Sequence, residues 1–175
     1  MSTDESLHNL KFQKVVKKQP VKSEPVKTVL PGALPVEIEL SAEASMPTKA
    51  TVGSAGFDVK AAETKVIHAG VAKLVKTGIK LVIPSGYEAQ VRSRSGMSLK
   101  HSVIVLNAPG TIDSDYRGEI KVPLINLGLE DFTIIRGERI AQMVIAKYER
   151  ISWQAAEVLS DTQRGEGGFG HTGKG

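Results

Sequence analysis

From residue 36 onward the chain is a succession of short Val-, Ile- and Leu-rich runs bounded by Gly, Pro, Asn, Asp or Ser, at 36–40, 57–62, 65–68, 71–74, 78–83, 87–92, 103–106, 119–126, 132–135 and 140–148. This is roughly one strand every ten residues. The rhythm predicts an all-β domain of two packed antiparallel sheets, a sandwich or jelly roll, rather than alternating βαβ units. Only 96–101 invites a helical turn, and no internal repeat is present.

A chain of 175 residues holds one ordinary domain and an extension, not two domains. Apolar residues make up 41% but aromatics only 5%, with 17 Gly and 8 Pro. The core must therefore be built from Val, Ile, Leu and Ala between many turns. There is no Cys, which excludes disulfides, thiol nucleophiles and cysteine-ligated zinc, and leaves catalysis to oxygen and nitrogen groups. No apolar run nears the ~20 residues of a membrane helix, and the first residues lack the apolar stretch of a signal peptide. The expectation is no membrane association, no export and a cytoplasmic location, with the nucleus open to a eukaryotic chain.

The net charge of +4 is unevenly placed: residues 1–31 hold six Lys against Asp4, Glu5 and Glu24, so that the rest of the chain is nearly neutral. Residues 1–35 read as a flexible Lys- and Pro-rich tail, with Pro20, Pro25, Pro31 and Pro35 spaced through it and no sustained helical or strand period. Such a tail is either a solvated extension or an electrostatic tether whose partner the sequence does not name. Residues 36–160 form the predicted β domain, and 161–175 a glycine-rich end.

That end, Arg164-Gly165-Glu166-Gly167-Gly168-Phe169-Gly170-His171-Thr172-Gly173, contains G-x-G-x-x-G, but no strand and helix flank it as a dinucleotide site requires. A P-loop pattern is absent as well. Such a segment can fold over a ligand, with Arg164 and backbone N–H groups toward phosphate and Phe169 over a ring; a disordered terminus is the other reading. Arg94-Ser95-Gly96 offers a guanidinium fork, a hydroxyl and a permissive glycine, suited to phosphate or to a plain surface turn. Between 107 and 119, Asn107, Asp113, Asp115 and Tyr116 crowd around a turn between two apolar runs. This resembles a hairpin pocket in which Asn reads a base edge, Tyr stacks on a sugar and Asp takes a proton from water. An Asx-rich turn, or a pair of metal-binding carboxylates, fits the same residues. Asp58 and Gln142 each sit beside a β-prone run.

Taken together and in this order, these stretches resemble the motif set of the trimeric dUTPase family. Ser54-Ala55-Gly56-Phe57-Asp58, Arg94-Ser95-Gly96, Asn107, Gly110-Thr111-Ile112-Asp113-Ser114-Asp115-Tyr116-Arg117-Gly118, Gly137-Glu138-Arg139-Ile140-Ala141-Gln142 and the terminal glycine-rich run carry the match from Ser54 to Gly173. The resemblance implies a jelly-roll (β-clip) barrel subunit and a homotrimer whose active sites lie between chains. It implies hydrolysis of dUTP to dUMP and pyrophosphate with Mg²⁺, which keeps uracil out of DNA and supplies dUMP for dTMP synthesis.

The resemblance also assigns roles. Asp113 is the general base activating the water that attacks the α-phosphorus, and Tyr116 the platform under deoxyribose that refuses a 2′-hydroxyl. Asn107, with main-chain groups near Gly110, Thr111, Ile112 and Lys121, reads the uracil edge. Arg94, Ser95, Gly96 and Gln142 hold phosphates, while Arg164, Phe169, His171 and Thr172 close over the γ-phosphate and base from another chain. Asp58 orders water around Mg²⁺. The sequence departs from the common pattern at Ser93, often Pro, at His171, often Ser, and at Phe57, more often Tyr or Leu. Two alternatives stand beside this reading. A dCTP deaminase of related fold carries a catalytic Glu in a Thr-Leu-Glu setting, where this chain has Lys121-Val122-Pro123-Leu124. A uridine-nucleotide-gated binding protein would use the same pocket as a sensor.

Overall fold

The computed structural model describes residues 32–168, so the expected tail over 1–35 lies outside the described residues except for 32–35, which are exposed and form no strand or helix. All strands fall within the unit Pro35–Gly175. They are β1 (Glu37–Leu40), β2 (Phe57–Lys60), β3 (Lys65–Ile67), β4 (Ala72–Val82), β5 (Tyr87–Arg92), β6 (Val103–Val105), β7 (Gly110–Ile112), β8 (Ile120–Asn126), β9 (Phe132–Ile134) and β10 (Arg139–Lys147), with one short helix, α1 (Ser95–His101), between β5 and β6. Two four-stranded sheets, ordered β1-β4-β8-β6 and β2-β10-β5-β7, are joined by a two-stranded β3-β9 ribbon. Among the described residues every strand pairing is antiparallel. The all-β jelly-roll class read from the sequence is the class found.

Alternation explains the layering. In β8, Ile120, Val122 and Leu124 are buried while Lys121 between them is exposed, the period of two of a strand with one face on a core. Inward residues from both sheets, among them Val75, Ile79, Val59, Val91 and Ile140, join Ile67 and Ile134 of the ribbon in a single cluster. Buried polar side chains are satisfied: Asn126 donates to the carbonyls of Ile67 and Glu130 and accepts from Gly128 N–H, closing the β8–β9 turn. None of the described residues has a buried side-chain polar atom without a partner.

Two features differ from the sequence expectation. The runs 71–74 and 78–83 are one strand, β4, because Gly78 is not a turn but an irregularity within it: the β4–β8 register shifts between Lys76 and Ile79, and Gly78 adopts φ +67°. Left-handed backbone favours glycine, and a Cβ at Gly78 would fall 2.3 Å from Ser41 Oγ and 2.8 Å from Ala44 Cβ. Gly78→Ala is expected to cost about 2 kcal/mol, read as a lowered urea midpoint with an unchanged m-value. In addition, β7 lies where only turn residues were expected.

An exposed pair ties the turn after β3 to the start of β9. His68 Nδ1 lies 2.7 Å from Asp131 Oδ2, and Ala69 N–H donates to Asp131 Oδ1 at 3.1 Å. The His68 hydrogen bond holds the Asp131 carboxyl below its ordinary range. A depressed folded pKa contributes stability above the unfolded value and loses it as pH falls through the folded one. Asp131→Asn is therefore expected to lower stability slightly at neutral pH, with the gap closing as acid protonates the carboxyl, read in denaturant titrations at neutral and acid pH.

Candidate active site

The turn after β7 displays Asp113 and Tyr116. β7 pairs with β5 in the register Ala89↔Ile112, Gln90↔Thr111 and Val91↔Gly110, whereas β8 pairs with β4 and β6 in the other sheet. The expected hairpin is thus a corner that carries the chain from one sheet to the other, because its two flanking strands have different partners. Tyr116 N–H donates to Asp113 C=O at 3.2 Å, and Tyr116 OH donates to Glu119 C=O at 3.0 Å. A hollow of about 390 Å³ lies beside this corner, lined by Leu74, Thr111, Ile112, Asp113, Tyr116, Glu119, Ile120 and Lys121. Its size and mixed lining suit a small ligand with an apolar body and a few polar edges. Asn107 stands before β7, its amide nitrogen 3.0 Å from where a Cβ on Gly110 would be; glycine at 110 is what lets that amide lie against the strand.

A second and larger cleft, about 760 Å³, lies at β2, α1 and β10. Arg94, in extended conformation at the N-cap of α1, donates from Nε to Asp58 Oδ1 at 3.0 Å and from Nη1 to Arg139 C=O at 3.0 Å. Arg139 donates from Nη1 to the other Asp58 oxygen, also at 3.0 Å. The β10–β2 register shift between Arg139 and Ala141 explains how Arg139 gets there: Ile140 and Ala141 are buried consecutively, alternation breaks, and Arg139 reaches the carboxylate of Asp58. Bulges re-aim side chains in this way. Gln142, directly opposite Asp58, donates to Ser93 C=O at 2.9 Å, and Ser93 Oγ accepts from Val105 N–H at 2.9 Å. Ser93, a departure from the common motif, thereby fastens the exit of β5 to β6. Five basic side chains (Lys49, Lys60, Arg94, Lys100, Arg139) and two acidic ones (Asp58, Glu138) line the cleft, net +3 with His101 neutral. A concave surface of one sign attracts and holds polyanions.

The two hollows share no lining residue. One chain brings Thr111, Ile112, Asp113, Tyr116 and Lys121 together in the first, and Asp58, Arg94 and Gly96 in the second. Ser95 is exposed as the first residue of α1. Arg164 lies in an exposed turn, donating from Nε to Gly167 C=O at 2.7 Å; Phe169, His171 and Thr172 lie outside the described residues. Sequence reasoning missed Arg139 although the motif containing it was in view, since only the β10–β2 register shows that it meets Asp58.

A family model described as dUTPase matches residues 42–173. The chain belongs to the dUTPase family. Among curated members of this family, the deoxyuridine 5′-triphosphate nucleotidohydrolase of Rickettsia felis is 57% identical over 131 residues, 74% of this chain and 88% of that one. Its Rickettsia typhi counterpart is 56% identical over the same shares. Among solved dUTPases, that of Staphylococcus bacteriophage 80alpha with dUPNHPP superposes with a TM-score of 0.76 at 29% identity, covering 81% of this chain and 99% of that chain.

Proposed function

We propose that this chain is a dUTP diphosphatase that hydrolyses dUTP to dUMP and pyrophosphate. The observation that carries the reading is the corner hollow, where an accessible carboxylate, Asp113, and a phenol ring, Tyr116, share one small cavity with Thr111, Ile112 and Lys121. In this reading the uracil edge meets Asn107 and main-chain groups of β7, and deoxyribose lies on Tyr116. Asp113 takes a proton from water as its oxygen attacks the α-phosphorus; the bond from that phosphorus to the bridging oxygen breaks and pyrophosphate leaves. The Arg94-Ser95-Gly96 turn and the basic cleft receive the phosphates, with Gln142 bracing the turn through Ser93, and Arg164, Phe169, His171 and Thr172 of another chain closing over the γ-phosphate and the base.

Mg²⁺ fits this chain as a cation held mainly by the triphosphate. Among the described residues no group of three or more His, Asp or Glu could hold a metal ion, and Mg²⁺ is usually bound through one or two carboxylates plus substrate phosphates. Asp58 would hold it through water, and the ion would neutralise charge on the phosphate oxygens.

The proposed assembly is a homotrimer with sites between chains. Two features support it: the nucleoside-type and phosphate-type hollows have separate linings, and beyond β10 the segment 148–160 forms no strand or helix while leaving Ile151, Trp153, Val158 and Leu159 67–90% exposed. Apolar side chains at that exposure call for a partner surface.

The deciding experiment is pyrophosphate release from dUTP, dCTP, dTTP and UTP with Mg²⁺, alongside ammonia release from dCTP. Turnover of dUTP alone supports the proposal. Binding of dUTP without turnover would transfer the reading to a nucleotide-gated sensor, and ammonia from dCTP would transfer it to a deaminase.

A further inference from the structure

Tyr116 is held in place by its own corner, and the residues that hold it have no part in the roles above. Its ring lies against the backbone of Gly118: a Cβ there would fall 2.4 Å from the phenol oxygen and 2.6 Å from Cζ. Carbon contacts settle near 3.5–4.0 Å, so any side chain at 118 must displace the ring by about 1 Å. Arg117 curls back over the same turn. Its Nη1 donates to Ser114 C=O at 2.7 Å and to Tyr116 C=O at 2.9 Å, bracketing the turn from both ends. Among the described residues Arg117 forms no ion pair, so its guanidinium is spent on these carbonyls. At the far end of the corner, the Glu119 carboxylate accepts from Gly78 N–H at 2.9 Å, anchoring the corner to the irregularity in β4.

We propose that Arg117 and Gly118 are positioning residues that set discrimination at the sugar. The inference rests on the reading of Tyr116 as the deoxyribose platform. Exclusion of a 2′-hydroxyl by a ring is a matter of fit: a ring displaced from the sugar face loses its contact with deoxyribose and at the same time opens space for the extra oxygen. Gly118 supplies the floor at which the ring comes to rest, the Tyr116–Glu119 hydrogen bond fixes its tip, and Arg117 fixes the backbone that carries it. An ångström of misplacement is enough to change rates about a hundredfold.

The test is kcat and KM for dUTP and for UTP in wild type, Gly118→Ala, Arg117→Ala and Arg117→Lys, with circular dichroism and thermal melts as checks on folding. In Gly118→Ala the ratio of kcat/KM for dUTP over UTP is expected to fall at least about tenfold. Arg117→Ala should shift the ratio the same way by less, and Arg117→Lys, which can still reach one carbonyl, should recover part of it. Arg117 is exposed, so its variants remain informative if Gly118→Ala fails to fold. Equal losses on both substrates, or no change on either, would overturn the inference. A wild type that turns over neither substrate would instead remove the diphosphatase reading and this inference with it.

Discussion

Asp113→Asn is expected to give a folded protein that binds dUTP and releases pyrophosphate about 10²–10⁴ times more slowly than wild type. The size of the effect follows from what the carboxylate does and does not touch. Asp113 is exposed just past β7, and the described hydrogen bonds at this residue use its backbone carbonyl, which accepts from Tyr116 N–H at 3.2 Å. Asn keeps that carbonyl and the side-chain shape. Surface substitutions of this kind stay within about 0.5 kcal/mol of the parent stability. The amide cannot take a proton from water, so the loss should appear in kcat and leave binding by calorimetry nearly unchanged. A variant with wild-type turnover would remove Asp113 from the reaction; a variant that no longer binds would make it a binding residue.

Asp58→Ala is expected to affect both folding and turnover. The carboxylate is 15% exposed and accepts one guanidinium on each oxygen. Hydrogen bonds to charged partners contribute about 1.5–3 kcal/mol each when sheltered, and Arg139, at 52% side-chain exposure, warrants the lower end because water screens it. A stability loss of about 2–3 kcal/mol is the expectation, with kcat/KM for dUTP falling about a hundredfold as Arg94 and Arg139 lose their shared anchor. Asp58→Asn, which keeps one acceptor oxygen, should lie between. If Asp58 served only to order water around Mg²⁺, the urea midpoint would not move and the KM for dUTP would respond to raised Mg²⁺. The paired measurement separates an arginine clamp from a metal-ordering acid.

The architecture could be read from sequence because alternating burial leaves a periodic trace. β8 and β10 announce themselves as Val-, Ile- and Leu-rich runs between turn residues. What alternation does not carry is which strand pairs with which. The corner at 113–119 looked like a hairpin because apolar runs flank it on both sides, and only the partners of β7 and β8 show that it bridges two sheets. Gly78 looked like punctuation for the same reason that it serves as an irregularity, its tolerance of positive φ. The site was legible where one contiguous segment supplies it, as with Thr111, Ile112, Asp113 and Tyr116. The Asp58–Arg94–Arg139 clamp was not, because its members are separated by dozens of residues and meet through a shifted register.

Trp153, exposed at 90% on the segment after β10, is the only tryptophan in the chain. An indole in water emits at long wavelength, and one covered by a protein surface emits further to the blue. Excited at the red edge of the absorption band, where Tyr87, Tyr116 and Tyr148 contribute little, the emission of this protein is therefore a signal from that segment alone. In a dilution series an emission maximum that moves to longer wavelength would report dissociation at that segment, and one that stays constant would report that nothing covers it, without any label or engineered residue.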